Sequence, residues 1–538
     1  MASSTGQSSR NQNINTILNR ITIRAESSSP EYLYRTFVSL EQIATGLLRI
    51  DNQVMYGRRG TGKTHHLANL AGDVDGNGDA SVYIDLRKIG SNNGLYSDAG
   101  QPIELRATQL LIDIVEALHT QLLNISVEDE RFEAMYPYLD AVADTATQIR
   151  VEGGISVVEE EELLNSQDDS RERRAELKVP RPDARVGASR SKRSSRKSRV
   201  KTQIKRSGAE LPHILFGPLG RSLEDVAGSI YPHRIWILLD EWSGIPIDLQ
   251  PLVADMLRRA IFPARGYTVK IAAIERRSRF IKRTDASNYI GLELGSDTAA
   301  ALDLDEYLLA TEAGPSAQDF FARLLFSHLK ALAEDLKVDA DPLDAGVFIS
   351  MAFEEHAFAE LVRAAEGIPR DAINIAGAAA ISARSQKIRV SDIKAAARKY
   401  YLHDKETGIS GNTPAQNMWR RLQSEVVTGR RSRTFLLRRD RENTNQSILD
   451  LYDARLIHLL RPGLGRPNSP GVEYDGYSVD YGSYVHLMDE AHADAMWDAR
   501  SRPWEYDRDD VFLPDRFDES VIFIPDKIKA SKDVRSRK

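Results

Sequence analysis

Apolar and polar positions along this chain follow two periods, and the shifts between them set out its elements. From Tyr32 to Ile50, Phe37, Leu40, Ile43, Leu47 and Leu48 recur at helical spacing. Residues 103 to 124 repeat that spacing with Leu105, Leu110, Leu111, Ile114, Val115, Leu118 and Leu122. Short strand-like runs lie between and beyond these helices: Gln53–Tyr56, Ala80–Leu86, Arg234–Leu239, Thr268–Ile274 and Tyr289–Leu294. Alternation of strand and helix predicts an α/β fold, a parallel sheet with helices on both faces. Helices dominate from about Ser316 to Asp404. Farther on, residues 414–427 and Thr444–Arg455 read as helices, and Thr434–Leu437, Leu456–Leu460 and Tyr477–Leu487 as strands. Helices followed by a hairpin with a Gly-, Pro- and Arg-rich tip, Arg461–Pro467, describe a winged helix.

Three segments break this pattern. Residues 1–31 are rich in Ser, Asn, Gln and Thr and read as a mobile lead-in. Between about 151 and 210 an acidic block (Glu159–Glu162, Asp168, Asp169) precedes a basic one (Arg190, Lys192, Arg193, Arg196, Lys197, Arg199, Lys201, Lys205, Arg206). This insertion is expected to be disordered, either as a solvated spacer or as a tether for a nucleic-acid backbone. Residues 491–538 form an acidic, aromatic C-terminal extension.

Composition narrows the class. The 538 residues suffice for two to four domains, and 41% hydrophobic with 28% charged residues fits a globular protein. No apolar run reaches about 18 residues, so no membrane helix is expected. Cysteine is absent, which excludes disulfides, thiol catalysis and cysteine-bound zinc. With no apolar signal core at the N-terminus, a cytoplasmic setting is expected.

One stretch carries recognisable chemistry. Gly57-Arg58-Arg59-Gly60-Thr61-Gly62-Lys63-Thr64, between a strand and a helix, is a phosphate-binding loop, or Walker A motif. The glycines allow a tight turn that aims backbone amides at phosphates, and the following helix adds positive potential at its N-terminus. Lys63 answers the β/γ-phosphate oxygens and Thr64 binds magnesium; His65 follows on the helix. The apolar strand Arg234–Leu239 ends in Asp240-Glu241, the Walker B pattern. There Asp240 holds magnesium through water and Glu241 acts as general base. ATP and Mg2+ are the implied ligands.

Together with Gly367-Ile368-Pro369-Arg370-Asp371, which opens a helix, these motifs make the chain resemble the AAA+ ATPases, and among them the origin-recognition branch as it occurs in bacteria. The resemblance covers about residues 32–490 outside the insertion. It implies a P-loop ATPase core (32–305), an all-helical lid (306–408) and a winged-helix domain (409–490). It further implies that Arg370 reaches the γ-phosphate from the lid and that a neighbouring subunit of a homo-oligomer supplies an arginine finger. Arg279 and Arg283 are the finger candidates, with Arg258 and Arg259 in reserve. The fourth strand ends Ile274-Glu275-Arg276, where the family carries an asparagine or threonine sensor.

Two functions remain open. The first is an ATPase switch that assembles on double-stranded DNA through the winged helix and basic segments, using Arg420, Arg421, Arg430, Arg431, Arg433, Arg438, Arg439 and Arg441. The second is a nucleotide-gated switch that controls a protein effector, for example in stress or phage defence, without touching DNA. No second active site is apparent in the sequence.

Overall fold

The computed structural model describes residues 2–22, 24–89, 100–146, 149–152, 155–161, 200–206, 209–283, 288–305, 315–338, 342, 344–430, 432–439, 445–465, 472–489 and 522–525. The chain divides into two compact units. One comprises Met1–Lys88, Tyr231–Arg258 and Arg265–Lys538, and the other Ile89–Ile230 with Arg259–Ala264.

The first unit is organised on a parallel sheet of β1 (Gln53–Tyr56), β2 (Ala80–Asp85), β3 (Ile235–Asp240), β4 (Tyr267–Ala273) and β5 (Leu302–Asp303). Its spatial order is β5-β1-β4-β3-β2, with every neighbouring pair parallel. Every residue of β3 and β4 is buried, as their apolar runs require of central strands. The helix Lys63–Gly76 packs Leu67, Leu70 and Val74 against Met55, Trp236, Leu238 and Ala272 of the sheet. Ile43 and Leu47 join the same core. The order leaves β4 between the strand that leads into the glycine loop and the strand that ends in Asp240.

The sequence placed a core strand at Tyr289–Leu294. Tyr289–Gly291 instead pairs antiparallel with Ile281–Arg283 in a separate ribbon, and β5 completes the sheet. Only Leu302 and Asp303 pair with β1, too few residues to leave a periodic signal.

Helices Pro315–Leu336, Ala345–Ala352, Ala357–Ala365, Pro369–Ala383 and Val390–Tyr400 share a second core, which includes Phe321, Phe348, Leu361, Ile375 and Ile393. The N-terminus differs from its expected role as a mobile lead-in. Residues Ala2–Arg20 form a helix, and Ile14, Ile17, Leu18 and Ile21 are buried in that core. Their spacing of three and four residues is helical, but polar neighbours mask it in the composition. Asn15 Nδ2 donates to the carbonyls of Arg384 (2.7 Å) and Gln386 (2.9 Å), tying this helix to the end of Pro369–Ala383. Gly377 permits the contact, because a Cβ there would lie 3.2 Å from the Leu18 carbonyl oxygen.

The C-terminal part of this unit is a sheet in the order Ile457–Gly465, Glu473–Val479, Thr434–Arg438, Ile522–Phe523. Helices Thr413–Leu422, Gln446–Asp453 and Tyr481–Asp489 accompany it, and Trp419, Phe435, Leu451, Tyr477 and Phe523 lie in its core. The strand expected over Tyr477–Leu487 stops at Val479. Asp480 then accepts a hydrogen bond from the Ser483 amide (3.2 Å), and a helix begins. The hairpin tip at Arg466 and Pro467 lies outside the described residues, as does the C-terminal extension apart from residues 522–525.

In the second unit, helix Ile103–Glu128 packs on Tyr136–Ala146, which packs on Phe216–Ser229. Ile103–Glu128 is the one helix among the described residues long and apolar enough to cross a membrane. Leu110, Leu111, Ile114, Val115, Leu118 and Leu122 are buried, as in a core helix. The insertion was expected to be disordered throughout, yet its described parts pair. Ile149–Glu152 runs antiparallel to Ala209–Pro212, and Ile155–Glu161 to Val200–Arg206, which sets Glu160 opposite Lys201. Residues 162–199 lie outside the described residues.

The buried N-terminal helix gives a direct test. Ile17→Ala is expected to destabilise the protein by about 2–4 kcal/mol, the usual cost of emptying a fully buried isoleucine site. Thermal denaturation checks this, and an unchanged midpoint would refute the helix's place in the core.

Candidate functional site

The site forms at the carboxyl ends of β1 and β3, where parallel sheets present their ligands. Gly60 and Gly62 adopt φ of 88° and 97°, a region that disfavours side chains. A Cβ on Gly60 would also sit 2.7 Å from the Arg370 Cβ and 3.1 Å from Ile368 Cγ2. The helical region therefore packs directly onto the loop, and the Arg370 amide donates to the Gly60 carbonyl (3.2 Å). Lys63 Nζ folds back to the carbonyls of Gly57 (2.8 Å) and Arg58 (3.0 Å). Burial lowers its pKa, against the attraction of Glu241, Asp305 and Asp240.

Thr64 Oγ1 donates to Asp240 Oδ2 (2.7 Å), and Tyr83 donates to the same oxygen (2.6 Å). Burial and then Asp240 raise the Tyr83 pKa, so the phenol stays a donor. The Glu241 amide donates to Asp240 Oδ1 (2.8 Å). Glu241 itself has φ of 57°, a left-handed conformation that costs a non-glycine residue about 1–3 kcal/mol. This strain turns its carboxylate toward the cleft, where Arg87 Nη1 lies 3.6 Å away. Arg87 is chiefly bound to Asp85, at the end of β2, by Nε–Oδ1 and Nη2–Oδ2 contacts of 3.0 Å.

Arg59, Lys63, Thr64, His65, Glu241 and Arg370 line one cleft of about 270 Å³. Thr22, Arg24, Ser28, Tyr32 and Leu33 close another side of it. The helical spacing over Tyr32–Ile50 resolves into two helices, Pro30–Thr36, whose Tyr32 and Leu33 line the cleft, and Glu41–Leu47, whose Ile43 and Leu47 pack in the core. His65 bonds the Leu33 carbonyl through Nε2, and burial lowers its pKa. The Arg370 Nε is buried without a hydrogen-bond partner. Such an orphaned donor beside a glycine loop fits an anion. Among the described residues no three His, Asp or Glu side chains could hold a metal alone, so a magnesium ion at Thr64 and Asp240 needs phosphate oxygens as well.

The remaining sequence candidates lie elsewhere. Arg283 pairs with Glu293 (3.0 Å), and the exposed Arg279 donates its backbone amide to Gln250 Oε1 (2.6 Å). Arg258 pairs with Asp255 (2.7 Å), and Arg259 lies over the Phe216 ring in the second unit. None of the four lines the cleft. At the end of β4, Arg276 bonds Asp475 (3.0 Å) and sits between the Tyr452 and Tyr477 rings, while Arg277 pairs with Asp453. These contacts tie the end of β4 to the C-terminal sheet.

A buried charge network extends that anchoring, and sequence reading missed it. Arg58 is 2% exposed; it bonds Asp305 (2.9 Å), the Glu366 carbonyl (3.1 Å) and His458 Nδ1 (2.9 Å). Arginine only donates, so His458 Nδ1 accepts and the ring proton sits on Nε2, 3.7 Å from Asp480. Lys405 bridges Asp480 and Asp371 (2.8 Å); Asp371 also meets Arg455, and Arg433 meets Glu366. Burial pushes Asp371 up, but Lys405 and Arg455 pull it below the usual carboxylate range. The partners are separated by up to 400 positions, which no local pattern reveals.

Two outcomes follow. Asp371→Asn keeps the shape but leaves Lys405 and Arg455 short of charge, and is expected to cost about 3–5 kcal/mol by denaturant titration. A cost below about 1 kcal/mol would show that the network is not held by charge. The second concerns pH. Burial lowers His66 and His458 to about 4 and His328 to about 3. The unfolded histidines take protons near the ordinary 6.5 while the folded ones do not. Stability is therefore complete above about pH 6.5 and lost as pH falls toward 4, by about 1.4 kcal/mol per unit for each group. A melting temperature that stays flat from pH 7 to 5 would contradict this. No protein-family model matches the chain and no curated protein matches it either, so the geometry of the site carries the functional reading.

Proposed function

We propose that this chain is a Mg2+-dependent ATPase of the AAA+ type that works as a nucleotide-controlled switch. The observation that carries this reading is the convergence of Lys63, Thr64–Asp240, Glu241 and Arg370 on one glycine-lined cleft. The β5-β1-β4-β3-β2 order supports it. Backbone amides of Gly57–Thr64 cradle the β- and γ-phosphates, and Lys63 leaves its carbonyl partners to meet them. Thr64 and Asp240 hold magnesium, and Glu241 takes the proton of the attacking water. Arg370, on a helix that touches the loop, reports the γ-phosphate to the lid. Residues 315–400 serve as that lid, and the C-terminal sheet with its helices fits a winged-helix module.

Two outputs are proposed. Assembly of a homo-oligomer on double-stranded DNA is supported by Arg420 and Arg438, both exposed, and by the basic stretch near 190–206. Gating of a protein effector is favoured by a specific observation. Arg421, Arg433 and Arg439 pair with Glu425, Glu366 and Glu473, which depletes the cationic face, and Arg430 donates to the Ile522 carbonyl.

The test is ATP hydrolysis by wild type and Glu241→Gln, each with and without double-stranded DNA. Loss of turnover by about 100-fold or more in the variant, with nucleotide still bound, is expected. Unchanged turnover would refute the assignment. Salt-sensitive stimulation by DNA selects the first output, and indifference to DNA selects the second.

A further inference from the structure

We propose that Arg59, within the phosphate loop itself, supplies the catalytic arginine in cis, so that one subunit completes its own ATPase site. The proposal rests on the ATPase reading above and deepens it. Arg58 and Arg59 are adjacent and chemically identical, yet the fold uses them differently. Arg58 is buried and its donors are taken by Asp305, His458 and the Glu366 carbonyl. Arg59 lines the cleft beside Lys63, Thr64, Glu241 and Arg370, and it forms no hydrogen bond or ion pair with a described residue.

Its surroundings explain why it stays unpaired. Burial and the nearby Arg277 lower its pKa, Arg370 adds to that repulsion, and the attraction of Asp453 and Glu241 opposes it. Asp453 is already paired with Arg277, and Glu241 lies near Arg87. Arg59, Lys63 and Arg370, with Arg24 and Arg87, thus line one cationic cleft, and the Arg370 Nε lacks a partner. Like charges held together in partial burial disfavour one another until an anion joins them. A nucleoside triphosphate supplies that anion, and the γ-phosphate carries the charge that grows during hydrolysis.

In the step itself, the oxygen of water bonds to the γ-phosphorus as the bond from that phosphorus to the β,γ-bridging oxygen breaks. The leaving ADP keeps the electron pair, and Glu241 receives the proton from water. Arg59 and Arg370 donate to the equatorial oxygens of the transferring group, where charge is spread. A donor placed there acts more on the transition state than on ground-state binding, so its loss shows in kcat. Arg279 and Arg283 lie off this cleft and need not be delivered by a neighbour.

The experiment measures steady-state hydrolysis and binding of a fluorescent ATP analogue for full-length wild type, Arg59→Ala and Arg59→Lys, over about a hundredfold range of protein concentration. Melting temperature confirms that the variants fold. Expected is a fall in kcat of about 100-fold or more for Arg59→Ala, with analogue affinity changed by less than about tenfold and partial recovery in Arg59→Lys. Wild-type activity per subunit is expected to be independent of concentration. The proposal is overturned if Arg59→Ala keeps wild-type kcat, if affinity and not kcat carries the loss, or if wild-type activity per subunit rises steeply with concentration. Failure of wild type to bind the analogue at all would instead overturn the ATPase reading on which the proposal stands.

Discussion

Burial of paired charge between the phosphate loop and the C-terminal sheet is the constraint on which the first unit depends. Asp371, Asp480, Glu366 and Asp305 carry four negative charges; Lys405, Arg455, Arg58 and Arg433 carry four positive ones. His458 stays neutral between Arg58 and Asp480. Removing so many ions from water is costly, and their balance makes it tolerable. The arrangement is brittle in a useful sense: no single member can leave without stranding an opposite charge. The network thus ties the loop, the helical region and the C-terminal sheet to one another.

That constraint would give the proposed nucleotide site a mechanical output. Gly60 touches Arg370 on one side, while on the other Arg58 reaches the strand that contains His458. A ligand that reorders the loop must act on both contacts, and by linkage anything that moves the C-terminal sheet alters affinity for that ligand equally. The Lys63 ammonium, folded onto two loop carbonyls, is the local counterpart. In the proposed function, phosphate oxygens would compete with those carbonyls, so binding would exchange one set of hydrogen bonds for another.

Much of this was legible in the sequence. Glycine spacing marked the loop, and an apolar run ending in Asp240-Glu241 marked its partner, because both signals are local. Gly367–Asp371 was legible for the same reason, although Asp371 turned out to serve the charge network. What escaped was non-local or masked. Tyr83 and Arg87 reach Asp240 and Glu241 only because β2 lies beside β3, a fact of sheet order. The N-terminal helix hid four isoleucines and leucines among polar residues. The C-terminal arginines looked like one cationic face, but charge counted along a sequence cannot show that Arg433 and Arg439 pair with the distant Glu366 and Glu473.

Arg58 and Arg59 show how little separates an anchor from a reactive group. Composition assigns them the same charge and the same motif, and only the side each faces distinguishes them. The buried one finds a carboxylate, a carbonyl and an imidazole, and gains from all three in a low dielectric. The one on the cleft lies among other cations and forms no ion pair with a described residue, so it keeps its donors for an incoming anion. A glycine loop built this way has a fixed and an unpaired arginine in consecutive residues. The fixed arginine limits how far the free one can stray, which is the preorganisation that makes a donor effective when charge develops.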